Sequence, residues 1–487
     1  MKNTVTNSVL VLTFFVTFTY IPFTIVARQN PASTSTHAQD SRRVFYYSDE
    51  LGSGGEFEFD SVPSSLTFEN SRLKSAYVAL QAWKQAIISD PFNLTSNWVG
   101  SNVCNYTGVF CSPALDDPAI ETVAGIDLNH GDISGNLPEE LGLLKDISLF
   151  HVNTNRFCGE LPWSFEEMKR LYELDVSNNR FSGKFPYVVL RMLSLRYLDL
   201  RFNEFEGKVP KALFEKKLDA IFMNHNRFAF ELPDNMGNSP ASVIVLDNNR
   251  FHGCLPASLG NMSNTLMELV LSNNGLHSCL PEEIGSLKNL QVFDVRNNEL
   301  VGNLPSPIGE MENLEQLDLS HNMLSGEVSK KVCSMPNLQK FNYNHNFFNV
   351  ESPMCMDLEE FDDGKNCFHG RPVQRSRLQC KMFLSKPLDC SVFKCREVVA
   401  PKPNPPPPPP SPTPKPALPP PPSPTPKPAL PPPPSPTPKP ALPPPPSPPV
   451  PPCQQLQSPP PPSPTDYVPL PPIYGKNYTS PPPPPFY

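Results

Sequence analysis

The sequence has few of the features that mark membrane proteins, metalloproteins or nucleic-acid-binding proteins. After one apolar run from Val9 to Ile25, no second stretch is long or apolar enough to span a bilayer. The 12 Cys do not follow the C-x-x-C spacing of zinc sites. Cationic charge is scarce, because 40 Lys and Arg face 48 Asp and Glu and leave a formal net charge of −8. This charge argues against nucleic acid as a partner.

What the sequence does have is a repeated unit. One copy is Leu174–Pro186, LDVSNNRFSGKFP, and its template is L-x-L-x-x-N-x-[L/F]-x-G-x-[L/V/F]-P. A first copy at Ile126–Pro138 has Gly131 where the Asn should be. In the other copies the Asn recurs every 23 to 25 residues, at positions 155, 179, 203, 226, 249, 274, 298, 322 and 346. This period with an L-x-L-x-x-N core is the signature of leucine-rich repeats. We therefore predict an α/β leucine-rich repeat solenoid of about ten repeats with a curved parallel sheet.

Each position of the unit has a physical role. The two apolar residues at i and i+2 face one side of a short strand. The Asn is expected to turn inward, where its amide can bond backbone groups of its own loop and of the adjacent repeat. The Gly permits a tight turn, and the Pro that follows stops the strand. One unit cannot bury its apolar face alone, whereas a stack of such units can.

The composition divides the chain into a folded body and a proline-rich tail. Residues 401–487 hold 46 of the 66 Pro and carry a net charge of +4, so residues 1–400 must carry −12 to give the total of −8. The tail repeats S-P-T-P-K-P-A-L-P-P-P-P three times and should be disordered and rich in polyproline II. The predicted divisions are 1–27 signal peptide, 28–68 disordered leader, 69–119 N-terminal cap, 120–353 repeat solenoid, 354–400 cysteine-rich cap or hinge, and 401–487 tail.

The N-terminus has the pattern of a secretory signal, with Lys2 before the apolar run and cleavage near Ala27. An uncleaved membrane anchor is the alternative, which Pro22 inside the run disfavours. We therefore predict a secreted, extracellular protein.

A helix is predicted from Arg72 to Ser89, before Asp90-Pro91 ends it. Its apolar residues share one face: Leu73, Ala76, Tyr77, Leu80, Trp83, Ile87 and Ile88.

A secretory signal makes the cysteines candidates for disulfides in an oxidising compartment. Cys254 and Cys279 occupy the same template position in adjacent repeats, near the Cα separation that a disulfide needs, so we predict that they pair. Cys333 and Cys355 flank the last repeat, and we predict a second bond there. Cys158 has no cysteine at the matching position of a neighbouring repeat, which makes it the candidate for an unpaired or intermolecular thiol.

Eleven cysteines precede residue 400, and Cys453 lies in the tail. The odd count in the body leaves open a free thiol, a bond to the tail or a covalent homodimer. The connectivity of the cysteines between residues 355 and 395 cannot be deduced from their spacing.

Several local strings point to a known family. The run from Trp98 to Cys111, ending in CNYTGVFC, resembles the N-terminal cap of plant extracellular leucine-rich repeat proteins. That resemblance implies a Cys104–Cys111 disulfide and a helix that covers the open end of the first repeat. NRFCGELP at 155–162, FNYNHNFF at 341–348 and the closing SPPPPPFY complete the pattern. From about Arg72 to Tyr487, the chain resembles the plant leucine-rich repeat extensins.

The resemblance implies a cell-wall glycoprotein that guides wall formation and cell growth. It implies a repeat domain that binds small basic secreted peptides of the rapid alkalinization factor type. It also implies a tail that anchors in the wall and carries hydroxyproline and sugars on its Ser-Pro runs. The Lys of the tail could instead hold acidic pectin electrostatically. The tail has four Tyr but no Y-x-Y pair, which does not fit intramolecular tyrosine crosslinking.

In such solenoids the concave sheet is the usual binding surface. The residue between the two apolar strand positions points outward there, and this column is acidic at both ends and apolar in the middle. An exposed patch of Phe222, Val243, Val245 and Val270, flanked by Asp, fits a basic peptide with an apolar element. The predicted contact residues are Asp175, Tyr197, Asp199, Phe222, Val245, Val270, Asp294 and Asp318.

Other interpretations stay open. In the first, the Asp residues of this column are simply solvated strand residues with no ligand. In another, the peptide site is the cysteine-rich end, near Phe341, Tyr343 and Phe348. The runner-up function is binding and inhibition of a wall-degrading enzyme, in the manner of polygalacturonase inhibitors.

Catalysis is disfavoured. No Ser-His-Asp or metal-ligand spacing recurs, so we expect no enzyme, no metal and no cofactor. Paired Asp could imitate the carboxyl groups of a glycosidase, but their repeat periodicity favours a structural or binding origin. N-glycosylation is predicted at Asn93, Asn105 and Asn261, while the sequon at Asn477 in the tail is a weaker candidate.

Overall fold

The computed structural model of this protein describes residues 62–386, 388–393 and 395. The predicted signal peptide, most of the predicted leader and the predicted tail lie outside these residues. Within the described residues, no helix is both long and apolar enough to cross a membrane.

One sheet of 12 strands, the main sheet, runs along the stacked repeats. Its first strand pairs antiparallel with the second, and the later neighbours pair parallel. The middle residue of a repeat strand, such as Leu174 or Leu198, is fully buried, and its two neighbours point to the opposite face. The predicted parallel leucine-rich repeat sheet is therefore confirmed. The strands are Val109–Pro113, Glu121–Asp127, Leu149–His151, Glu173–Asp175, Tyr197–Asp199, Ala220–Phe222, Val243–Val245, Glu268–Val270, Val292–Asp294, Gln316–Asp318, Lys340–Asn342 and Glu360–Asp362.

A second line of short strands follows the turn that carries the ladder position of each repeat. Eight of them form one sheet and three form another, and a parallel bridge joins Cys279 to Val301 between the two. The eight are Ile87–Ser89, Ser134–Gly135, Arg156–Gly159, Arg180–Lys184, Glu204–Gly207, Arg227–Glu231, Arg250–Gly253 and Gly275–Leu276. The three are Val301–Asn303, Met323–Val328 and Phe347–Glu351.

Short helices complete the turn of each repeat. A Pro stands at the N-cap of most of them, as at Pro162 and Pro186, where its missing N–H costs nothing. The 3-10 helices are Val103–Asn105, Glu139–Leu143, Trp163–Glu167, Tyr187–Arg191, Lys211–Glu215, Met236–Asn238, Ala257–Met262, Glu282–Ser286, Ser306–Glu310, Pro353–Asp357 and Cys390–Phe393. The α-helices are Ser71–Ala86, Lys330–Cys333 and Arg377–Leu384.

The repeat Asn side chains point inward and make the same four hydrogen bonds in successive repeats, an arrangement we call the asparagine ladder. Asn203 Nδ2 donates to the carbonyl oxygens of Val176, Leu200 and Arg201 at 2.9, 3.2 and 3.2 Å. Its Oδ1 accepts the N–H of Phe181 at 3.0 Å. Val176 and Phe181 belong to the preceding repeat, so one side chain ties two repeats together, as predicted. Matching bonds are made by Asn155, Asn179, Asn226, Asn249, Asn274, Asn298, Asn322 and Asn346.

A column of Phe rings fills the core beside this ladder. Neighbouring rings stack with centroids 6.3 to 6.5 Å apart and nearly parallel planes. The apolar residue two positions after the ladder Asn therefore packs on its counterpart in the next repeat. The rings are those of Phe157, Phe181, Phe205, Phe228 and Phe251.

The first helix covers the open end of the stack. Its buried Trp83 packs against Phe150 of the first repeats, with ring centroids 5.6 Å apart. The helix ends at Ala86, so the predicted extension through Ile87 and Ile88 is wrong. Residues 87–89 pair instead with the strand at Gly135, where a Cβ would lie only 2.4 Å from the Ala86 carbonyl oxygen. Because Gly135 has no side chain, the backbone of residues 86–87 can lie close to it. The segment after the helix therefore forms an edge strand.

At the other end, the main sheet continues past residue 353, where the predicted solenoid ended. Strand Glu360–Asp362 pairs parallel with Lys340–Asn342. Asn366 joins the ladder, because its Nδ2 donates to the Tyr343 carbonyl oxygen at 3.0 Å and its Oδ1 accepts the N–H of Phe348 at 3.1 Å. The interval from the previous ladder Asn is 20 residues, which hides this repeat from a search at the regular period.

Disulfides fasten both ends. Cys104 is bonded to Cys111, and Cys333 to Cys355, which are the pairs expected from the sequence. A further bond joins Cys367 to Cys380.

The predicted Cys254–Cys279 bond is wrong. Cys254 pairs with Cys395 and Cys279 pairs with Cys390. The two cysteine side chains occupy equivalent repeat positions and point outward in parallel, not toward each other. A segment that crosses the repeats can therefore form a disulfide with each of them. Residues 388–393 and 395 do this in reverse order along the stack, and we call them the strap.

Cys158 is also disulfide-bonded, so the prediction of an unpaired thiol there is wrong. No cysteine among the described residues is free. Cys453 lies outside the described residues.

The asparagine ladder generates a stability prediction. Asn203→Ala leaves carbonyl oxygens and the Phe181 N–H unpaired in the interior, and each unpaired group costs about 1–3 kcal/mol. We expect the unfolding free energy of the oxidised protein to fall by about 3 kcal/mol or more in chemical denaturation. Asn313→Ala is the matched control, because Asn313 is exposed and donates to the Lys288 carbonyl oxygen at 2.8 Å. Equal losses in the two variants would contradict a special role for the ladder.

The strap generates a prediction about connectivity. Proteolysis without reduction should release the linked peptide pairs Cys254–Cys395 and Cys279–Cys390, identified by mass spectrometry. In the variant Cys395→Ser, alkylation should then label the Cys254 thiol. Recovery of a Cys254–Cys279 peptide from the unmodified protein would show that the strap is not fastened as described.

Candidate functional site

The predicted contact residues lie together on one surface. The first and third residues of the main-sheet strands point away from the core, and we call the surface that they form the concave face. Tyr197 begins its strand and so faces the same side as Asp199, which ends it. The other contact residues each end a strand and pair in register along the sheet: Asp175, Asp199, Phe222, Val245, Val270, Asp294 and Asp318.

One oxygen of each strand-ending Asp has a structural task. Asp175 Oδ1 accepts the N–H of Ser177 at 2.9 Å, and Asp199 Oδ1 accepts the N–H of Arg201 at 3.0 Å. This Asx-type bond fixes the turn that follows the strand. The recurrence of Asp therefore has a local structural cause, while Oδ2 is oriented for other partners. The same bond is made by Asp127, Asp294, Asp318 and Asp362.

The apolar part of the concave face is more buried than predicted. Phe222 and Val243 are 7% and 3% exposed, and Val245 and Val270 are half-buried. The Arg201 guanidinium lies 5.1 Å from the centroid of the Phe222 ring. The prediction of an exposed patch is therefore wrong for Phe222 and Val243, because side chains stacked one repeat apart shield each other. These side chains form a cluster separate from the main core: Ala220, Phe222 and Val243, with Tyr197 and Val245 packed against them.

Asp199 is a fully buried carboxyl group on this face. Arg201 Nε lies 2.9 Å from its Oδ2, and the Tyr197 hydroxyl donates to the same oxygen at 3.4 Å. Burial raises the pKa of Asp199 well above its usual value, and the nearby Asp175 adds to the effect while Arg201 opposes it. Arg201 thus both pairs with the buried acid and covers the Phe222 ring.

A second acid pair lies further along the sheet. Arg296 is shared by two carboxyl groups, with Nε 3.5 Å from Asp294 Oδ2 and a terminal nitrogen 3.9 Å from Asp318 Oδ2. Burial raises the pKa of Asp294 to about 7, with Asp318 raising it further and Arg296 lowering it. The charge at this end of the face can therefore change near neutral pH.

Further acids lie between and beside these pairs. Burial raises the pKa of Asp247 and of Glu268, although His225, 3.8 Å from Asp247, opposes the shift of the former. At the first repeats, His151 Nε2 and Glu173 Oε2 are buried 3.2 Å apart. Carboxyl groups thus outnumber cations along the concave face, and several of them lack the partners that would offset their desolvation.

The competing location at the cysteine-rich end has a different character. The Phe347 ring stacks on Phe383 with centroids 3.7 Å apart, and the Arg375 guanidinium lies 4.1 Å from its centroid. The Phe347 ring is therefore already covered by a cation and by a second ring, which leaves little of it for a basic ligand. The three aromatic residues named there from the sequence are fully buried and belong to the core: Phe341, Tyr343 and Phe348.

The acidic row has one member that the sequence reasoning missed. Asp362 pairs with Asn342 in the sheet, and Asn344 Nδ2 donates to its Oδ2 at 2.5 Å. Asn366 follows Asp362 by four residues, as Asn179 follows Asp175. That spacing could have found it, although the short interval before Asn366 conceals it.

The predicted glycosylation sites lie on the surface. Asn93, Asn105 and Asn261 are exposed, and each remains a predicted glycosylation site. In the part of the chain that the structure describes, no group of three or more His, Cys, Asp and Glu is arranged to hold a metal ion.

The fold and the repeats define the class of protein. Residues 74–112 match the family described as "Leucine rich repeat N-terminal domain". The family described as "Leucine Rich Repeat" matches residues 170–192, 194–215, 265–287, 289–311 and 313–335. The protein is a leucine-rich repeat solenoid with an N-terminal cap.

Relatives narrow this class to one family. The chain is 64% identical over 362 residues to Leucine-rich repeat extensin-like protein 4 of Arabidopsis thaliana, covering 74% of this chain and 73% of the relative. It is 67% identical over 335 residues to Leucine-rich repeat extensin-like protein 7 of the same plant, covering 69% and 77%. It is 74% identical over 343 residues to Pollen-specific leucine-rich repeat extensin-like protein 2, also of Arabidopsis, covering 70% of this chain but 40% of that longer relative. The chain belongs to the leucine-rich repeat extensin-like proteins.

Solved structures share the repeat architecture. The ectodomain of the Arabidopsis receptor kinase HAESA, in complex with an N-terminally extended IDA peptide hormone, is 25% identical with a TM-score of 0.53, covering 61% of this chain and 50% of that chain. A plant ice-binding protein is 23% identical with a TM-score of 0.52, covering 63% of this chain and 97% of that chain. The second likeness shows the fold alone.

The raised pKa of Asp294 predicts a pH dependence of stability. Because the folded-state pKa is about 7, the folded protein holds this proton more tightly than the unfolded chain does. The stabilisation is complete below the unfolded pKa of about 4 and is lost as pH rises through about 7. Relative to Asp294→Asn, the wild-type unfolding free energy should fall by about 1.4 kcal/mol per pH unit across this window.

Chemical denaturation at several pH values between about 4 and about 8 measures this difference. Asp127→Asn is the matched control, since Asp127 is exposed and makes the same turn. Parallel pH profiles for the wild type and Asp294→Asn would contradict the assignment.

Proposed function

We propose that this chain is a secreted protein of the plant cell wall whose repeat body binds small basic peptides of the rapid alkalinization factor type on the concave face. In this proposal the tail anchors in the wall, where its Lys hold acidic pectin, and the protein regulates wall formation and cell growth. The row of carboxyl groups along the concave face carries the proposal. The family membership supports it, as does the likeness to a repeat ectodomain solved with a peptide hormone.

The geometry of the row suits the capture of cations. Each strand-ending Asp has one oxygen fixed by a backbone N–H, so the direction of the other oxygen is set before a ligand arrives. A Lys or Arg of a peptide would make charge-assisted hydrogen bonds to such oxygens. The preset geometry reduces the entropy lost on binding.

Burial of the acids adds a second contribution. The raised pKa values of Asp247, Glu268 and Asp294 mean that their charged forms lack sufficient compensation in the free protein. A ligand cation supplies that compensation, so binding favours the ionised acids. By linkage, binding of a basic peptide should weaken as pH falls and these acids take up protons.

The half-buried side chains of Val245 and Val270 lie within the acidic row. They offer a short apolar stretch between charged ends. A peptide with basic residues on both sides of an apolar element would match this order, and a uniformly basic peptide would match it less well.

The proposal predicts that neutralising two of these acids weakens peptide binding. The double variant Asp175→Asn, Asp318→Asn keeps an amide oxygen for the turn bond and removes two charges. At low ionic strength we expect at least about a tenfold loss of affinity for a basic alkalinization-factor peptide, together with a shallower salt dependence. Isothermal calorimetry measures both quantities.

The control removes two charges elsewhere. Glu166 and Glu312 are exposed and lie outside the main sheet, so Glu166→Gln, Glu312→Gln should leave the affinity nearly unchanged. Undiminished binding by the Asp double variant would refute the concave-face site. Absence of binding to several such peptides would refute the peptide function and favour an inhibitor of a wall-degrading enzyme.

A further inference from the structure

Two aromatic side chains are exposed on the side of the body formed by the 3-10 helices. Trp163 and Tyr187 begin successive 3-10 helices, and they are 60% and 48% exposed. Both stand eight residues after a ladder Asn, so they occupy the same position in adjacent repeats. The sequence has three Trp, and the other two, Trp83 and Trp98, are fully buried. A large ring left in solvent beside a second one marks a surface that can bind a partner.

The backbone that presents these rings is held in place. Both oxygens of the Glu139 carboxylate are engaged, with Oε1 accepting the N–H of Trp163 at 3.2 Å and Oε2 accepting the N–H of Ser164 at 2.8 Å. Tyr187 packs edge-on against the buried Phe185 ring with centroids 6.0 Å apart. The Trp163 backbone is therefore fixed by the preceding repeat and the Tyr187 ring by a side chain of its own repeat, which lowers the entropy cost of a contact.

Three exposed cations lie in the repeat of Tyr187 and in the repeat that follows it. Lys184, Arg191 and Lys208 are exposed, and no ion pair within the described residues engages any of the three. From Lys184 to Lys217 the chain has eight Lys and Arg against four Asp and Glu, whereas residues 1–400 as a whole carry −12. This segment is therefore positively charged, whereas the body as a whole is negatively charged.

The cationic run has defined ends. Glu160 stands at the repeat position of Lys184 and Lys208, one repeat earlier. Lys211, one repeat after Tyr187, forms an ion pair with Asp234. The next residue at the position of Lys184 and Lys208 is Glu231, so along this column of the stack the cations are confined to two adjacent repeats.

We propose that this surface, the aromatic–basic patch of Trp163, Lys184, Tyr187, Arg191 and Lys208, binds an acidic polysaccharide made of uronate sugars. The C–H faces of pyranose rings pack on exposed aromatic rings, and sugar carboxylates pair with Lys and Arg. The stack repeats these side chains along a line, as successive sugars of a linear polymer require. A basic peptide, the ligand proposed for the concave face, would be repelled from the patch.

The patch and the concave face lie on different faces of a repeat. The main-sheet strands and the 3-10 helices each send side chains into the core between them, such as Leu174 and Val188, which are both buried. The two surfaces can therefore be occupied at the same time, and loss of one function does not entail loss of the other.

The patch contains the reporter for its own test. Trp163 is the exposed Trp of the three, and the tail contains none, so quenching of Trp fluorescence by acrylamide reads this surface and not the tail. Titration of the full-length protein with an oligogalacturonate should protect Trp163 from the quencher, and added salt should weaken the effect. A neutral glucose oligomer should give no protection at the same concentrations.

Variants that keep Trp163 test the other residues of the patch. Tyr187→Ala, and separately Lys184→Gln with Lys208→Gln, should each raise the half-saturating concentration by about tenfold. The control Lys330→Gln, Lys331→Gln removes two exposed charges at a distant repeat and should change nothing. No protection of Trp163, equal protection in the patch variants, or equal protection by the neutral oligomer would each overturn the proposal.

Discussion

The body depends on one requirement, that the backbone polar groups buried at each repeat turn find partners where no strand supplies them. A single Asn per repeat meets it by bonding to its own turn and to the repeat before it, as Asn203 does with Val176 and Phe181. Because every repeat is tied to its neighbour in the same way, equivalent positions line up along the stack. The strand-ending Asp, the Phe column and the exposed rings of the 3-10 helices all take their alignment from these bonds.

The acids of the concave face oppose this stability. Burial makes the charged forms of Asp199 and Asp294 unfavourable, and Arg201 and Arg296 compensate them only in part. An Asn would keep the turn bond of these residues without the cost of burying a charge. Buried carboxyl groups lower the stability of the folded protein. If a ligand brings a cation to them, binding recovers the free energy that their desolvation costs.

Repetition explains what the sequence could reveal and what it could not. The period and the ladder Asn predict the fold, the register and the placing of the acidic column, because these follow from local chemistry copied along the chain. The failures lie where repetition ends or where distant segments meet. Cys254 and Cys279 bind a segment more than a hundred residues away, and the burial of Phe222 depends on side chains from other repeats. Asp362 follows an irregular interval.

The strap also determines how force would travel through this molecule. The bond between Cys254 and Cys395 closes a covalent ring with a sequence separation of 141 residues, which contains all repeats that follow Cys254. Tension applied to the chain beyond Cys395 passes through the sulfur atoms into the middle of the stack and bypasses that ring. The later repeats cannot be drawn out one by one while the bond is intact. Reduction of the Cys254–Cys395 bond would therefore release these later repeats to extend under load.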